Sequence, residues 1–150
     1  MPSTDPRLAE FFAEYEARTN RALADPPRLD VEATAKAFAD SFVGANPNGV
    51  MCGTNDAGLR DVISKGFEFY RSIGTKSMKI ASLTTTPLDE CHAMVRVHWE
   101  AFYKKKDGSD EVIDFDVIYL LQTTGDGPKI FAYITGDEQK VYKERGLLPG

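Results

Sequence analysis

Acidic side chains on an otherwise apolar strand are the first candidates for chemistry in this sequence of 150 residues. Asp116 is expected to lie beside Trp99 and Ile118 on one face of a predicted sheet. Burial among apolar neighbours disfavours a charged carboxylate and raises its pKa, which suits a general acid or a hydrogen-bond donor to a ligand oxygen. The alternative is an Asp at the strand mouth, in water or paired with a lysine. We predict Asp116 as a catalytic residue and Asp114, nearer the turn, as a ligand contact.

Histidine and cysteine are too scattered to form a metal site or a nucleophilic pair. Cys52 and Cys91 lie outside any Cys-x-x-Cys spacing, which is typical of buried free thiols. His92 alternates to the opposite side of its strand from Cys91, so no Cys-His pair is indicated. The sequence therefore predicts no metal and no cofactor.

The charge and hydropathy patterns exclude further classes of function. The net charge of −5 removes the general attraction to phosphate backbones, so nucleic-acid binding is not expected. The chain has no run of 18 apolar residues and no basic, apolar leader, so no membrane association is expected and the protein is predicted to be cytoplasmic. Its 42% hydrophobic and 27% charged residues fit one globular domain over 1–150.

The spacing of apolar residues, which indicates the helices and strands that position these side chains, changes halfway along the chain. Apolar residues recur at three and four in the first half, which predicts helices from Asp5 to about Ala22, from Asp30 to about Gly44, and from Thr54 or Asn55 to Gly74. Residues 46–53 are predicted as a turn with a brief strand. Later residues alternate with a period of two, which predicts four antiparallel strands near 77–86, 91–105, 109–123 and 129–135 and a short C-terminal helix capped by Asp137.

The loop at Asp107-Gly108 sets which side chains share a face of the predicted sheet. If it has two residues, Lys106 faces Ser109, and Trp99, Tyr103, Asp114 and Asp116 lie on one face. The opposite face then collects a set of apolar and charged side chains: Arg96, His98, Phe115, Val117, Tyr119 and Ile134. Three helices cover only one face, so we predict that this second set forms a symmetric homodimer interface. The alternative is that the C-terminal helix covers it.

Three helices followed by long antiparallel hairpins resemble the nuclear transport factor two-like superfamily, which includes ketosteroid isomerases and polyketide cyclases. The segments Ala37-Phe-Ala-Asp40, Ala45-Asn46-Pro47 and Pro128 to Tyr133 carry the local resemblance. It implies an α+β fold with three N-terminal helices packed on a strongly curved antiparallel β-sheet, a cone or cystatin-like roll, and a short C-terminal helix.

The resemblance also implies an internal cavity and roles for some of its residues. The aromatic lining would come from Trp99, Tyr103, Phe131 and Tyr133 on the sheet and from Phe12, Tyr15, Phe67 and Tyr70 on the helices. Tyr15 resembles the first-helix tyrosine that donates to the substrate oxygen in the isomerases. Asp116 resembles their neutral aspartic acid, with Ile118 as the alternative match. Asn46 stands at the position of the general base, and an amide cannot accept that proton.

We therefore predict a domain that binds a small apolar or aromatic molecule, with Asp116, Tyr15 and Asn46 among its polar contacts. The sequence leaves open whether it is a cofactor-free isomerase, cyclase or dehydratase. The hydrolases with this fold hold a water with one Arg and two Asp, but Arg96 is predicted to point away from both aspartates. The alternative function is a non-catalytic, adaptor-like domain with a filled core.

Overall fold

The computed structural model describes residues 5–149, which form one curved sheet with helices against its concave side. The helices are α1 (Pro6–Leu23), α2 (Val31–Lys36), α3 (Ala57–Ser72) and α4 (Glu138–Glu144). The strands are β1 (Phe38–Asn46), β2 (Gly49–Thr54), β3 (Thr75–Pro87), β4 (His92–Lys104), β5 (Asp110–Gln122) and β6 (Lys129–Ile134). The strand order is β2-β1-β6-β5-β4-β3, and β1 runs parallel to β6 while the other neighbours are antiparallel.

Aspartate side chains begin the helices by accepting hydrogen bonds from backbone N–H groups that have no partner within the helix. The caps predicted at Asp5, Asp30 and Asp137 are confirmed, since their carboxylates accept from the first turns of α1, α2 and α4. The third helix begins after Asp56 rather than after Thr54 or Asn55. Gly74 follows α3 with a φ of +92°, and a Cβ there would lie 2.1 Å from a backbone oxygen, so only glycine fits.

The prediction that the second helix continues to about Gly44 is wrong, because Phe38–Asn46 is a strand. Phe38 and Phe42 are four residues apart, a spacing that places side chains together on a helix and also on one side of a strand. The backbone of β1 is satisfied by both neighbouring strands, and the Ala37 oxygen just before it accepts from the Ile130 N–H of β6 at 2.8 Å. Pairing between distant segments therefore overrides the local pattern.

The hairpin between β4 and β5 has a three-residue loop, so the predicted two-residue loop is wrong. Lys105 N–H donates to the Ser109 oxygen at 2.8 Å, and Gly108, at a φ of +88°, donates to the Lys105 oxygen at 2.9 Å. Trp99 consequently pairs with Phe115, and His98 pairs with Asp116. Because side chains alternate along a strand, this one-residue shift moves every side chain of β5 to the face opposite the predicted one.

The next hairpin starts in the predicted register and then changes it. Gln122 pairs with Lys129 as expected, but an irregularity follows, and Tyr119 then pairs with Tyr133. Phe131 falls within this irregularity and packs edge-on against the His92 ring, with 5.8 Å between the ring centroids. The prediction that Phe131 lines the cavity is therefore wrong.

The core lies between α1 and the concave side of the sheet. Its fully buried side chains are contributed mainly by alternate residues of β4 and by one face of α1: Leu8, Phe12, Val95, Val97, Trp99, Leu121 and Ile130. Phe12 packs against the Tyr119 ring at 5.0 Å and belongs to this core rather than to the lining of a cavity. None of the helices within residues 5–149 combines the length and the apolar character that a membrane crossing requires.

Candidate ligand-binding cavity

A cavity of about 470 Å³ lies between the concave face of the sheet and helices α1, α3 and α4. All six tyrosines of the sequence line it: Tyr15, Tyr70, Tyr103, Tyr119, Tyr133 and Tyr142. Trp99, Phe38, Phe67 and Phe115 add further aromatic surface. This space, called the tyrosine cavity below, has the size and the apolar character, with a few polar groups, that are usual for small-molecule sites.

A buried hydrogen bond joins two of the cavity residues across β4 and β5. The Trp99 indole N–H donates to the Tyr119 hydroxyl at 3.2 Å, and the Tyr15 ring lies 6.1 Å from each of the two rings. Burial raises the pKa of Tyr15, although the nearby Arg18 charge and hydrogen bonding with Tyr119 oppose that rise. Burial also raises the pKa of Tyr119 well above its ordinary value. Both hydroxyls are therefore protonated at neutral pH and available as donors.

The acidic side of the tyrosine cavity is formed by the start of α4. Burial raises the pKa of Glu138, the first residue of this helix. Burial and then the Glu138 charge raise the pKa values of Tyr70, Tyr133 and Tyr142, and all three side chains line the cavity together with Glu138. The neighbouring Asp137 is engaged by its capping bond at 3.1 Å and by the Asn48 amide at 3.3 Å.

Sequence reasoning missed Glu138, although it predicted the cap beside it. Its signal is an acidic residue in the first turn of a helix that directly follows the last strand of the sheet. Such a helix must turn back over one face of the sheet, and α4 turns over the concave face, where Tyr142 packs against Tyr103 and Phe69 with centroid distances of 6.2 and 6.0 Å. The alternative in which the C-terminal helix covers the opposite face is therefore wrong.

Most of the predicted aromatic lining lies in the tyrosine cavity. The predicted residues found there are Tyr15, Phe67, Tyr70, Trp99, Tyr103, Tyr133 and Asn46. Asn46 is exposed at the end of β1, and its side-chain oxygen accepts from the Asn48 N–H at 2.8 Å, so it serves the turn as well as the lining. Phe115, Val117 and Tyr119 also line the cavity, and their predicted place in an interface on the opposite face is wrong.

Asp116 lies on the convex face, so its predicted burial beside Trp99 is wrong. Its carboxylate accepts from Arg96 at 3.0 Å and contacts the His98 Nδ1 at 2.6 Å. These two partners, His98 first, lower the pKa of Asp116, which is opposite to the shift that the sequence predicted. The second predicted acid, Asp114, contacts the His98 Nε2 at 3.1 Å on the same face. The expectation that Arg96 points away from both aspartates fails for the same reason.

The convex side of β4 and β5, called the outer face below, combines this charged cluster with exposed apolar residues. It carries Arg96, His98, Glu100 and Phe102 from β4, and Val112, Asp114, Asp116 and Ile118 from β5. Ile134 of β6 pairs with Ile118 and is 48% exposed, and Val112 is 43% exposed. The hydrogen bond that His98 donates to the Asp116 carboxylate, and next the charges of both aspartates, raise the pKa of His98.

Comparison with known proteins gives a family and a group of similar folds. Residues 5–138 match the family described as NTF2-like protein (DUF6841). No curated protein sequence matches the chain.

Solved structures with similar folds have low sequence identity to this chain. An NTF2-like protein with a cystatin-like fold from Novosphingobium aromaticivorans has 15% identity over 96% of this chain and 88% of its own, with a TM-score of 0.66. The beta subunit of the benzoate 1,2-dioxygenase from Burkholderia mallei has 20% identity over 94% and 96%, with a TM-score of 0.62. A ketosteroid isomerase-like protein from Erwinia carotovora atroseptica has 18% identity over 87% and 89%, with a TM-score of 0.55. At these identities the similarity concerns the fold alone.

Proposed function

The chain belongs to the NTF2-like family (DUF6841), and on that basis we propose that it binds a small apolar or aromatic molecule in the tyrosine cavity. The observation that carries the proposal is a space of about 470 Å³ lined by every tyrosine of the chain. Tyrosine offers a flat apolar ring together with a hydroxyl, so it packs against an aromatic ligand and also orients its polar atoms. The open volume argues against the alternative of an adaptor-like domain with a filled core.

The polar contacts of the ligand come from the hydroxyls nearest to Trp99. The Tyr119 oxygen accepts from the Trp99 indole N–H at 3.2 Å, so the Tyr119 hydroxyl proton is free to donate to another acceptor in the cavity. Tyr15, which lies beside both rings, is the donor that we assign to an oxygen atom of the ligand. Tyr15 thus keeps the donor role implied by its resemblance to the isomerase tyrosine, whereas Asp116 has no part in the site.

The binding proposal is tested with N-phenyl-1-naphthylamine, an uncharged aromatic probe whose emission rises in apolar surroundings. We expect saturable binding of one probe per chain. Val117→Phe adds a ring to the cavity wall and is expected to weaken binding about tenfold or more. Val112→Phe makes the same chemical change on the outer face and is expected to leave the affinity unchanged. Equal affinity in wild type and Val117→Phe, or no saturable binding, contradicts the proposal.

A second candidate function is cofactor-free acid–base catalysis, which Glu138 favours. Its raised pKa and its place in the tyrosine cavity are those of a carboxyl that exchanges protons with a bound substrate. The probe is 5-nitrobenzisoxazole, whose C3–H proton passes to a base while its N–O bond breaks to give a cyanophenolate. Glu138→Gln removes the base, whereas Glu144→Gln changes an exposed residue of the same helix. Equal turnover in both variants rules out catalysis by Glu138.

The proposal includes a homodimer formed through the outer face. Helix α4 packs on the cavity side, so the apolar side chains of Ile134 and Val112 stay exposed in the single chain. An exposed apolar surface interspersed with charged groups is typical of an interface. The proposed interface keeps Arg96, His98 and Ile134 from the sequence prediction, and it includes Ile118 and Asp116 of the outer face in place of the inward-facing residues of β5.

A further inference from the structure

The charged side chains that line the tyrosine cavity are all acidic, and Arg18, whose guanidinium carbon lies 5.6 Å from the centre of the Tyr15 ring, is not among the lining residues. Among the residues that the structure describes, no Lys, Arg or His lines it, whereas Asp137 and Glu138 both do. The Asp137 carboxylate is engaged by its cap and by Asn48. Glu138 forms no ion pair and no side-chain hydrogen bond within residues 5–149. A partly buried carboxylate without a partner loses the stabilisation that water would supply, and a cation entering the cavity would restore it.

The walls around this carboxylate are aromatic and not merely apolar. Tyr70 reaches the cavity from α3, Tyr133 from β6 and Tyr142 from α4, and all three line it together with Glu138. Aromatic rings carry negative charge on their faces and attract organic cations, most strongly where water is excluded. Ammonium groups are commonly bound by several such rings, and here a carboxylate lies among them.

We infer that the ligand of the tyrosine cavity is an organic cation, namely an ammonium group on an apolar or aromatic frame that pairs with the Glu138 carboxylate. This inference rests on the proposed binding function and names its chemical class. The frame of the ligand packs against the aromatic walls. An oxygen at the end away from the ammonium group would accept a hydrogen bond from Tyr15. An anionic ligand would meet Glu138 with no cationic side chain in the cavity lining to balance it. An uncharged ligand would leave the carboxylate without a partner in a still drier site.

The proposal has a pH dependence whose sign follows from the groups that face Glu138. The other titratable groups of the cavity lining are the capping Asp137 and the six tyrosines, whose pKa values burial raises, so that all six hydroxyls are protonated at neutral pH. Burial raises the pKa of Glu138, so a falling pH neutralises it earlier than an exposed carboxyl. Cation affinity should therefore decrease as the pH falls through that pKa, because the protonated carboxyl offers no charge to pair.

The experiment compares two phenols of the same shape by isothermal titration calorimetry. (4-Hydroxyphenyl)trimethylammonium carries a cationic nitrogen where 4-tert-butylphenol carries a neutral carbon. We expect wild type to bind the cation about tenfold more tightly at about pH 7, and this preference to shrink at about pH 5. Glu138→Gln should remove the preference by weakening cation binding alone, and Glu144→Gln should keep it.

Each outcome supports or overturns a stated part of the argument. Binding of 4-tert-butylphenol as tight as that of the cation in wild type overturns the ligand class and leaves the proposed binding function standing. A cation preference that persists in Glu138→Gln overturns the role of this residue. Failure of both phenols and of N-phenyl-1-naphthylamine to bind wild type overturns the proposed function itself. The wild-type comparison does not depend on the folding of any variant.

Discussion

The bond between the Trp99 indole N–H and the Tyr119 hydroxyl allows a quantitative test of how the cavity wall is built. Trp99 is 2% exposed and Tyr119 6% exposed, and the two atoms are 3.2 Å apart. Tyr119→Phe keeps the ring and removes the acceptor. It therefore leaves a buried N–H without its partner, which costs about 1–3 kcal/mol, more than the net value of a hydrogen bond between neutral groups.

The expected changes in melting temperature and in coupling energy follow from the size of the domain. A loss of about 2 kcal/mol lowers the melting temperature by about 4–8 °C in a chain of about 150 residues. Trp99→Phe removes the donor, so adding Tyr119→Phe to that background should cost little. The coupling energy from the double-mutant cycle should therefore be about 1–2 kcal/mol.

Urea denaturation followed by far-ultraviolet circular dichroism is the appropriate assay, because Trp99 is the single tryptophan and two of the variants lack it. Tyr133→Phe is the matched control. It removes another cavity hydroxyl, which forms no hydrogen bond to Trp99, and should change the unfolding free energy by less than about 0.5 kcal/mol. A coupling energy near zero between positions 99 and 119 would refute the reasoning, since the N–H would then not depend on the tyrosine oxygen.

Three further predictions concern other parts of the fold. Gly44→Ala places a Cβ 2.6 Å from the Tyr133 ring, so the ring must move, and urea denaturation should show a loss of about 1 kcal/mol together with altered probe binding. Because the pKa of His98 is raised in the folded state, the stabilisation that His98 provides is complete below about pH 6.5 and is lost as the pH rises through that folded-state pKa. His98→Gln should therefore lower the melting temperature at about pH 6 and have less effect at about pH 8. A larger effect at the higher pH would contradict this prediction. The proposed dimer should have a sedimentation mass twice that of the 16.6 kDa chain, and Ile134→Glu should halve this mass. Val62→Glu, at an exposed site on α3, should leave the mass unchanged. A wild-type mass equal to that of one chain argues against the dimer.

The alternation within a single strand could be predicted from the sequence. Trp99 and Tyr103 were expected on one face of β4 and Arg96 and His98 on the other, and the structure confirms this division. Three of the four helix caps were also predictable, because the carboxylate and the N–H groups that it binds lie within three residues of each other. The aromatic lining on α1 and α3 follows from helix periodicity in the same way, as Tyr15 and Tyr70 illustrate.

The relation between strands could not be predicted in the same way. Asp107-Gly108 is compatible with a two-residue loop and with a three-residue loop, and only the packing of the sheet selects between them. The longer loop moves Asp116 from the cavity to the outer face and moves Tyr119 from the outer face to the cavity. The irregularity in β6 displaces Phe131 for a similar reason, since its register depends on two neighbouring strands at once.

By itself the sequence determined the α+β class, the faces of β4 and the aromatic character of the cavity, because these depend on periodicity and on residues close together in the chain. Only the tertiary structure decided which acid lies in the tyrosine cavity. Glu138 reaches the tyrosine cavity because α4 turns back over the concave face, and Asp116 is excluded because one additional loop residue reverses its strand. Side-chain direction is local, but register and helix placement depend on how distant segments pack, and the energy that selects them exists only in the folded chain.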